Sequence, residues 1–315
     1  MSYTTQIKEE ISTITTTKSE AIAELSGFIR NNATITNNAI TLTTENKKTV
    51  ERIKSFLKTE YEIELKVDIK DNVNFSKKKL IIMSINSKVE QILKDIGYID
   101  NDGITLSTPP TYIVGANEEI RAYLRGVFLC SGSINDPKTS RYHMELLIST
   151  PEEAVFVQKL LNIFDLNAKI LNRDKGYMIY LKEAEKISDY IKILGANNAV
   201  MYFENVRIYR EQKNKTNRLN NCEQANIDRV FATASSQLEQ IRIIEETSSI
   251  DLLDEKTKET LEYRKKYPEA SLKELSEIIS IETNKPITKS GLNHRLRKIK
   301  ELAEMIEKNE KELQK

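Results

Sequence analysis

At 315 residues the chain is long enough for two domains, each with its own core. Charged residues make up 30%, but 48 Lys and Arg stand against 47 Asp and Glu, so a net charge of +1 excludes a molecule coated in positive charge. Two lone cysteines (Cys130, Cys222), a start with no apolar core and no apolar run near the ~18 residues of a membrane span predict a soluble cytoplasmic protein and exclude a disulfide scaffold.

Apolar spacing predicts a short helix over 3–14 with Ile7 and Ile11 inward. A second, over about 18–31, carries Ile22, Leu25, Phe28 and Ile29. Residues 33–44 alternate and turn at Asn37-Asn38, a pair that tolerates positive φ, which predicts a hairpin. Residues 49–59 form an amphipathic helix through Val50, Ile53, Phe56 and Leu57. The alternation at Ile63, Leu65, Val67 and Ile69 then pairs with the strand Lys79–Ile85, and a helix over 87–96 stops at Gly97. The order is α-β-β-α-β-β-α.

Residues 97–117 hold Gly103, Pro109 and Pro110 and read as a linker. The order then restarts, with a helix over 118–130 and a strand at 133–135 partnered by 142–149. A helix opens at Thr150-Pro151-Glu152-Glu153, with threonine as cap and acids in its first turn, and runs to about 164. Strands over 167–172 and 176–181 and a helix over 182–194, stopped at Gly195, complete the second repeat. Gly27 and Gly126 lie 99 positions apart inside matching apolar helices. An interior helix glycine costs about 1 kcal/mol against alanine, so the pair predicts two helices packed backbone to backbone.

Both glycine helices resemble the LAGLIDADG motif of homing endonucleases. Leu124, Gly126, Gly132 and Ser133 match it in the second copy, and Leu25, Gly27 and Ile29 in the first, where Ala33 replaces the later glycine. The resemblance implies that the last acidic place of each copy would hold a catalytic metal. Those places are Asn32 and Ser131, and the earlier acidic places are Arg30 and Leu129. A hard cation needs anionic oxygen ligands for phosphodiester cleavage, so the expectation is a kept fold without metal or cutting. Glu24, Asp136 and Glu145 are the acids nearest the motifs, and an active nuclease built from them is the alternative.

Beyond Gly195 the strands end. Residues 198–220 are polar and basic and read as a linker (197–223); Asn217, Arg218, Asn221 and Asn226 lie in an amide-dense run over 217–226 that suggests a specific polar contact. Residues 224–246 form an amphipathic helix through Ile227, Val230, Phe231, Ala234, Leu238, Ile241 and Ile244; helix continues over 254–266 until Tyr267-Pro268. Ser271 and Glu274 form a capping box ahead of Leu272, Leu275, Ile278 and Ile279. After a turn with Pro286, a longer helix starts near Thr288 or Ser290 and passes through Leu292, Leu296, Ile299, Leu302 and Ile306.

Two helices joined by a short turn, the second basic, suggest a DNA-reading helix-turn-helix. Residues 285–300 contain six Lys and Arg and no acid, whereas residues 1–200 contain 26 basic and 26 acidic residues. With Leu292, Leu296 and Ile299 inward, Asn293, His294 and Arg297 share the outward face; asparagine suits adenine and arginine suits guanine in the major groove. Ser290 sits at the helix N-terminus, where hydroxyls and amides hold phosphate, and Lys285, Lys289, Arg295, Lys298 and Lys300 can pair with flanking phosphates. The alternative is a solvated basic helix on a protein-interaction scaffold. His143 and Cys130 read as structural: the first has no second ligand nearby and the second lies on an apolar helix end.

The whole combination resembles the WhiA family of bacterial sporulation and cell-division regulators. Besides the glycine helices, the resemblance rests on Glu204-Asn-Val-Arg207, the 217–226 run, Ser271-Leu-Lys-Glu-Leu275 and residues 289–298. It implies an α+β fold: two LAGLIDADG-like repeats in one pseudo-symmetric domain over 1–196 (repeats about 15–97 and 117–195), then an all-α helix-turn-helix domain over 224–315. It also implies a sequence-specific regulator of division, chromosome segregation or sporulation genes, bound to double-stranded DNA at the nucleoid. Neither cofactor nor small-molecule substrate is implied. The neutral N-terminal domain would dock a protein partner or set geometry, since phosphate neutralisation dominates DNA affinity.

Overall fold

The computed structural model describes residues 1–36, 38–71, 79–139, 141–174 and 176–313. Of the turn expected at Asn37-Asn38, Asn37 lies outside them. Helix α1 (Tyr3–Ile11) is capped by Ser2 and ends at Ser12, earlier than residue 14. The Ser12 and Thr13 hydroxyls donate to the Lys8 and Glu10 carbonyls at 2.6 and 2.7 Å, which closes the last turn. Helix α2 (Lys18–Asn32) starts from a Thr17/Glu20 capping box.

The first repeat continues as β1 (Thr34–Thr36), β2 (Ala39–Thr44), α3 (Lys47–Tyr61), β3 (Lys66–Asp71), β4 (Lys79–Ile85) and α4 (Val89–Asp95). The second runs α5 (Asn117–Ser131), β5 (Gly132–Ile134), β6 (Met144–Ile148), α6 (Pro151–Ile163), β7 (Lys169–Arg173), β8 (Gly176–Leu181) and α7 (Ala184–Leu194). The α-β-β-α-β-β-α order therefore occurs twice, and the fold is α+β. Among the described residues the strands form two antiparallel sheets with the same topology, β1-β2-β4-β3 and β5-β6-β8-β7. Equivalent register pairs, Leu42 with Met83 and Leu146 with Ile179, are buried in the two sheets.

Two local expectations shift. Ile63 and Leu65 are buried ahead of β3, while Val67 and Ile69 on the strand itself are 39% and 60% exposed, because β3 is an outer strand of its sheet. Thr150 holds the N-cap place of α6, but its side chain makes no capping bond; Pro151 at the first position leaves one fewer amide to satisfy.

At the centre of the first unit α2 packs against α5. A Cβ at Gly27 would overlap the Tyr123 carbonyl, and one at Gly126 would overlap that of Glu24, so the helices meet backbone to backbone at both glycines. Leu25, Phe28, Ile29, Leu124, Val127 and Phe128 surround the crossing in one core. Fully buried Glu24 accepts from Arg52 and, at 2.8 Å, from Arg125 Nε, so a carboxylate on α2 ties α3 and α5 together.

The C-terminal part is helical: α8 (Asn197–Glu246), α9 (Glu255–Lys266), α10 (Leu272–Thr283) and α11 (Lys289–Leu313). The chain divides into two compact units inside α8, between Glu211 and Gln212. The stretch 197–223, expected as a linker before a separate helix, is instead helical throughout. No glycine or proline occurs from Asn197 to Glu246 to break it. The apolar face expected over 224–246 is also shorter: Ala234, Ile241 and Ile244 are buried, whereas Ile227 and Phe231 are 49% and 48% exposed. Ile241, Ile244, Leu261, Leu275, Ile279, Leu292, Leu296 and Ile299 make the core of the second unit. Among the described residues no helix is long and apolar enough to cross a membrane.

Candidate nucleic-acid interface

The helix pair α10–α11 is set by local chemistry at both ends of its turn. The Ser271/Glu274 capping box starts α10, and Asn284 ends it in the left-handed region at φ 54°, a conformation asparagine tolerates. Ser280 Oγ accepts the Ile287 amide at 2.9 Å and pins the turn, while Thr288 Oγ1 accepts the Gly291 amide at 3.1 Å and caps α11. Leu292, Leu296 and Ile299 are at most 3% exposed. Burying each such side chain contributes about 1.5–3 kcal/mol, which fixes the rotation of α11 about its axis.

That rotation turns Ser290, Asn293, His294 and Arg297 outward. They follow one another at i, i+3, i+4 and i+7, so they form one exposed face over the first two turns. None of their four side chains makes a hydrogen bond or ion pair with another described residue. Lys285 and Lys289, at the approach to this face, are exposed as well.

The other expected phosphate contacts are distributed differently. Arg295 turns onto α9: its Nη1 donates to the Lys256 carbonyl at 3.1 Å and Thr260 Oγ1 at 3.3 Å, and Glu259 lies 3.7 Å away. Its position three residues after Leu292 brings it to the flank of the buried stripe, so it joins helices instead of facing solvent. Lys298 pairs with Asp254, the N-cap of α9, at 2.7 Å. The Lys298 ammonium and then the Thr257 hydroxyl and amide hold the Asp254 carboxyl down to about 2. Lys300 pairs with Glu304 at 3.5 Å on the exposed side of α11. Exposed pairs of this kind exchange readily with an external anion.

Asn217, Arg218, Asn221 and Asn226 are all exposed on α8. Asn226 lies 4.0 Å from Cys222 Sγ, and no hydrogen bond links the four to α10 or α11 among the described residues.

The motif ends of α2 and α5 have lost the chemistry of a metal site. Asn32 Oδ1 accepts the Thr43 amide at 2.7 Å and its Nδ2 donates to the Thr43 carbonyl at 2.9 Å, so the side chain acts as a strand partner for β2. A carboxylate could not make the second bond. Ser131 Oγ donates to the Val127 carbonyl at 3.1 Å. Arg30 donates to the Gly97 carbonyl and, at 2.9 Å, to that of Leu106, so it clamps the linker between repeats. Neither position offers an anionic oxygen, and the residues present do not fit a divalent cation.

The remaining acids are spent elsewhere. Glu24 is buried between its arginines, Asp136 accepts the Tyr202 hydroxyl at 3.2 Å, and Glu145 lies 3.3 Å from His143 Nε2. Among the described residues no group of three or more His, Cys, Asp or Glu is arranged to hold a metal ion. The His143 ring also stacks on Tyr180. Burial pushes the Cys130 thiol up to about 11, so it is not a thiolate near neutrality.

Doubled glycine-crossed repeats with emptied ligand positions, joined to a helix-turn-helix, define a LAGLIDADG-like scaffold carrying a second, helical module. Three family models match the chain: the WhiA N-terminal LAGLIDADG-like domain over 18–99, the WhiA LAGLIDADG-like domain over 120–213 and the WhiA C-terminal HTH domain over 216–303. The chain is 39% identical over 315 residues to the probable cell division protein WhiA of Staphylococcus haemolyticus, covering 99% of each. It is 39% identical over 311 residues to that of Enterococcus faecalis, covering 97% of this chain and 98% of the relative. The crystal structure of full-length DUF199/WhiA from Thermatoga maritima shares the fold, with a TM-score of 0.60 at 22% identity, covering 97% of this chain and 99% of that one. The chain belongs to the WhiA family.

Proposed function

We propose that the protein is a sequence-specific double-stranded DNA-binding regulator of cell division, chromosome segregation or sporulation genes, without nuclease activity. The observation that carries this reading is the unpartnered face Ser290, Asn293, His294 and Arg297 on a helix whose rotation is fixed by its core. Asn293 and Arg297 read base edges in the major groove by paired hydrogen bonds, with Ser290 and His294 beside them. Lys285 and Lys289 hold flanking phosphates, and Lys298 and Lys300 join them by exchanging their exposed carboxylates for phosphate. Arg295 keeps the reading helix on α9. The exposed amides of Asn217, Asn221 and Asn226, with Arg218, form a second polar contact on the same DNA-binding unit.

The N-terminal unit serves as a scaffold that sets geometry or docks a protein partner. Asn32 and Ser131 supply no charge to a metal, so magnesium-dependent cutting is absent. The test is selection of genomic DNA fragments at two salt concentrations with magnesium present, by the wild type and by Asn293→Ala with Arg297→Ala. The reading expects the wild type to select particular fragments and leave them uncut, and the double variant to lose selection. Equal selection by the variant would reassign the reading helix, and cut fragments would restore the endonuclease alternative.

A further inference from the structure

We propose that the helix-turn-helix unit holds a phosphate-class anion in a pocket built around the buried guanidinium of Arg264. The pocket has a volume of about 250 Å³. Arg229 of α8, Arg264 of α9, Ser271 and Lys273 at the start of α10, and Lys289 at the start of α11 line it, and none of its lining residues is acidic.

Arg264 makes this more than a basic patch. It is 1% exposed, and its Nη1 donates to the Ala270 carbonyl at 2.7 Å and to that of Tyr267 at 3.4 Å. Its Nε is buried with no acceptor, and it forms no ion pair with a described carboxylate. Burial alone lowers its pKa, since no facing carboxylate offsets the desolvation. A role as a strut for the 267–270 turn accounts for the two carbonyl bonds. It does not account for an orphaned donor beside three further cations, because a buried charge is stable only when compensated.

The surroundings select an anion with several oxygens. At the α10 N-terminus the capping box takes the Ser271 and Glu274 amides and leaves those of Leu272 and Lys273, and helix N-termini bind phosphate through such amides. Arg229 and Lys289 are exposed and their side chains pair with no described residue, while Lys273 is exposed and pairs with Glu277 alone. Four acids adjoin the lining without belonging to it: Asp228 and Glu269 next to Arg229 and Ala270 in the chain, Glu274, which accepts the Ser271 amide at 2.8 Å, and Glu277, 3.9 Å from the Lys273 ammonium. All four are exposed, and none forms an ion pair with Arg264. The pocket is separate from the outward face of Asn293 and Arg297, and its occupant is either a backbone phosphate of bound DNA or a free phosphate compound.

The test uses the full chain and inorganic phosphate as probe. Isothermal titration at constant ionic strength is expected to show saturable binding of phosphate to the wild type. Arg229→Ala with Lys273→Ala, two exposed positions that leave the core intact, is expected to bind at least tenfold more weakly. Duplex titrations of the same two proteins then separate the sources. With a DNA phosphate as occupant, the double variant loses affinity for all duplexes alike, and its log–log salt slope falls by about 1 per phosphate. With a free phosphate compound as occupant, duplex affinity is unchanged while phosphate binding is lost. Failure of the wild type to bind phosphate better than the variant, together with identical duplex binding, overturns the proposal. Loss of phosphate binding with fragment selection intact leaves the base-reading face untouched, so the two readings fail separately.

Discussion

The two units treat buried arginine in opposite ways. In the first, Arg52 and Arg125 share the buried carboxylate of Glu24, and their remaining donors reach the carbonyls of Ser12, Ile14 and Leu194. In the second, Arg264 is as deeply buried and pairs with no described carboxylate. On the second unit the contrast is local: residues 285–300 hold six basic residues and no acid, and of these Arg295, Lys298 and Lys300 meet Glu259, Asp254 and Glu304 from outside the stretch. The proposed division of labour rests on this difference: buried charges close on each other in the first unit, and a buried cation is left open in the second.

The largest effect is expected at the closed charge cluster. Glu24→Ala strands two buried guanidinium groups and should cost about 3–5 kcal/mol in urea unfolding; a loss below about 1 kcal/mol would mean that the arginines find other partners. Gly126→Ala forces a methyl group into the Glu24 carbonyl and should cost about 1–3 kcal/mol or more. Retention of wild-type stability would show that the helices can part cheaply.

A more local change tests the emptied motif. Asn32→Asp loses the donor to the Thr43 carbonyl and sets an anion against it, at a cost of about 1–3 kcal/mol. A stabilising substitution would mean that the cleft accommodates the charge that the motif has at this place.

The smallest effect is a pH dependence. Burial raises the Glu153 carboxyl above its usual 4.5, opposed by the Tyr123 hydroxyl, by Arg30 and by the Asn31 amide. A raised acid contributes stability in its protonated form, fully below about 4.5 and lost as pH rises through the higher folded value. Glu153→Gln keeps an acceptor for Tyr123 and cannot ionise, so its stability relative to wild type should rise with pH from 4.5 to 8. Parallel stability curves would refute the shift.

What was legible in the sequence was local or repeated. The doubled element order, the Ser271 capping box and the inward stripe Leu292, Leu296 and Ile299 are each written in a few neighbouring residues. The spacing of Gly27 and Gly126 added one long-range inference because the repeat supplied its own second example. Polarity suggests a break that α8 does not have, and the lack of glycine or proline over its fifty residues is the signal for continuity. Arg295 reads as a phosphate contact because helical spacing gives a direction without saying that Lys256 and Thr260 stand there. The partners of Glu24 and the solitude of Arg264 depend on segments far apart in the chain, and no spacing rule brings them together.

The contrast between the units is tested most directly by parallel duplex titrations of the full chain against one selected fragment and one unrelated duplex. Asn293→Ala with Arg297→Ala should abolish the preference for the selected fragment, each lost base contact costing about 1–3 kcal/mol. Lys169→Ala with Arg173→Ala, exposed on β7 of the N-terminal unit, should leave both affinities within about twofold, as expected for groups that neutralise no phosphate. A loss of selectivity in the β7 variant with none in the α11 variant would contradict the assignment of DNA reading to the C-terminal unit.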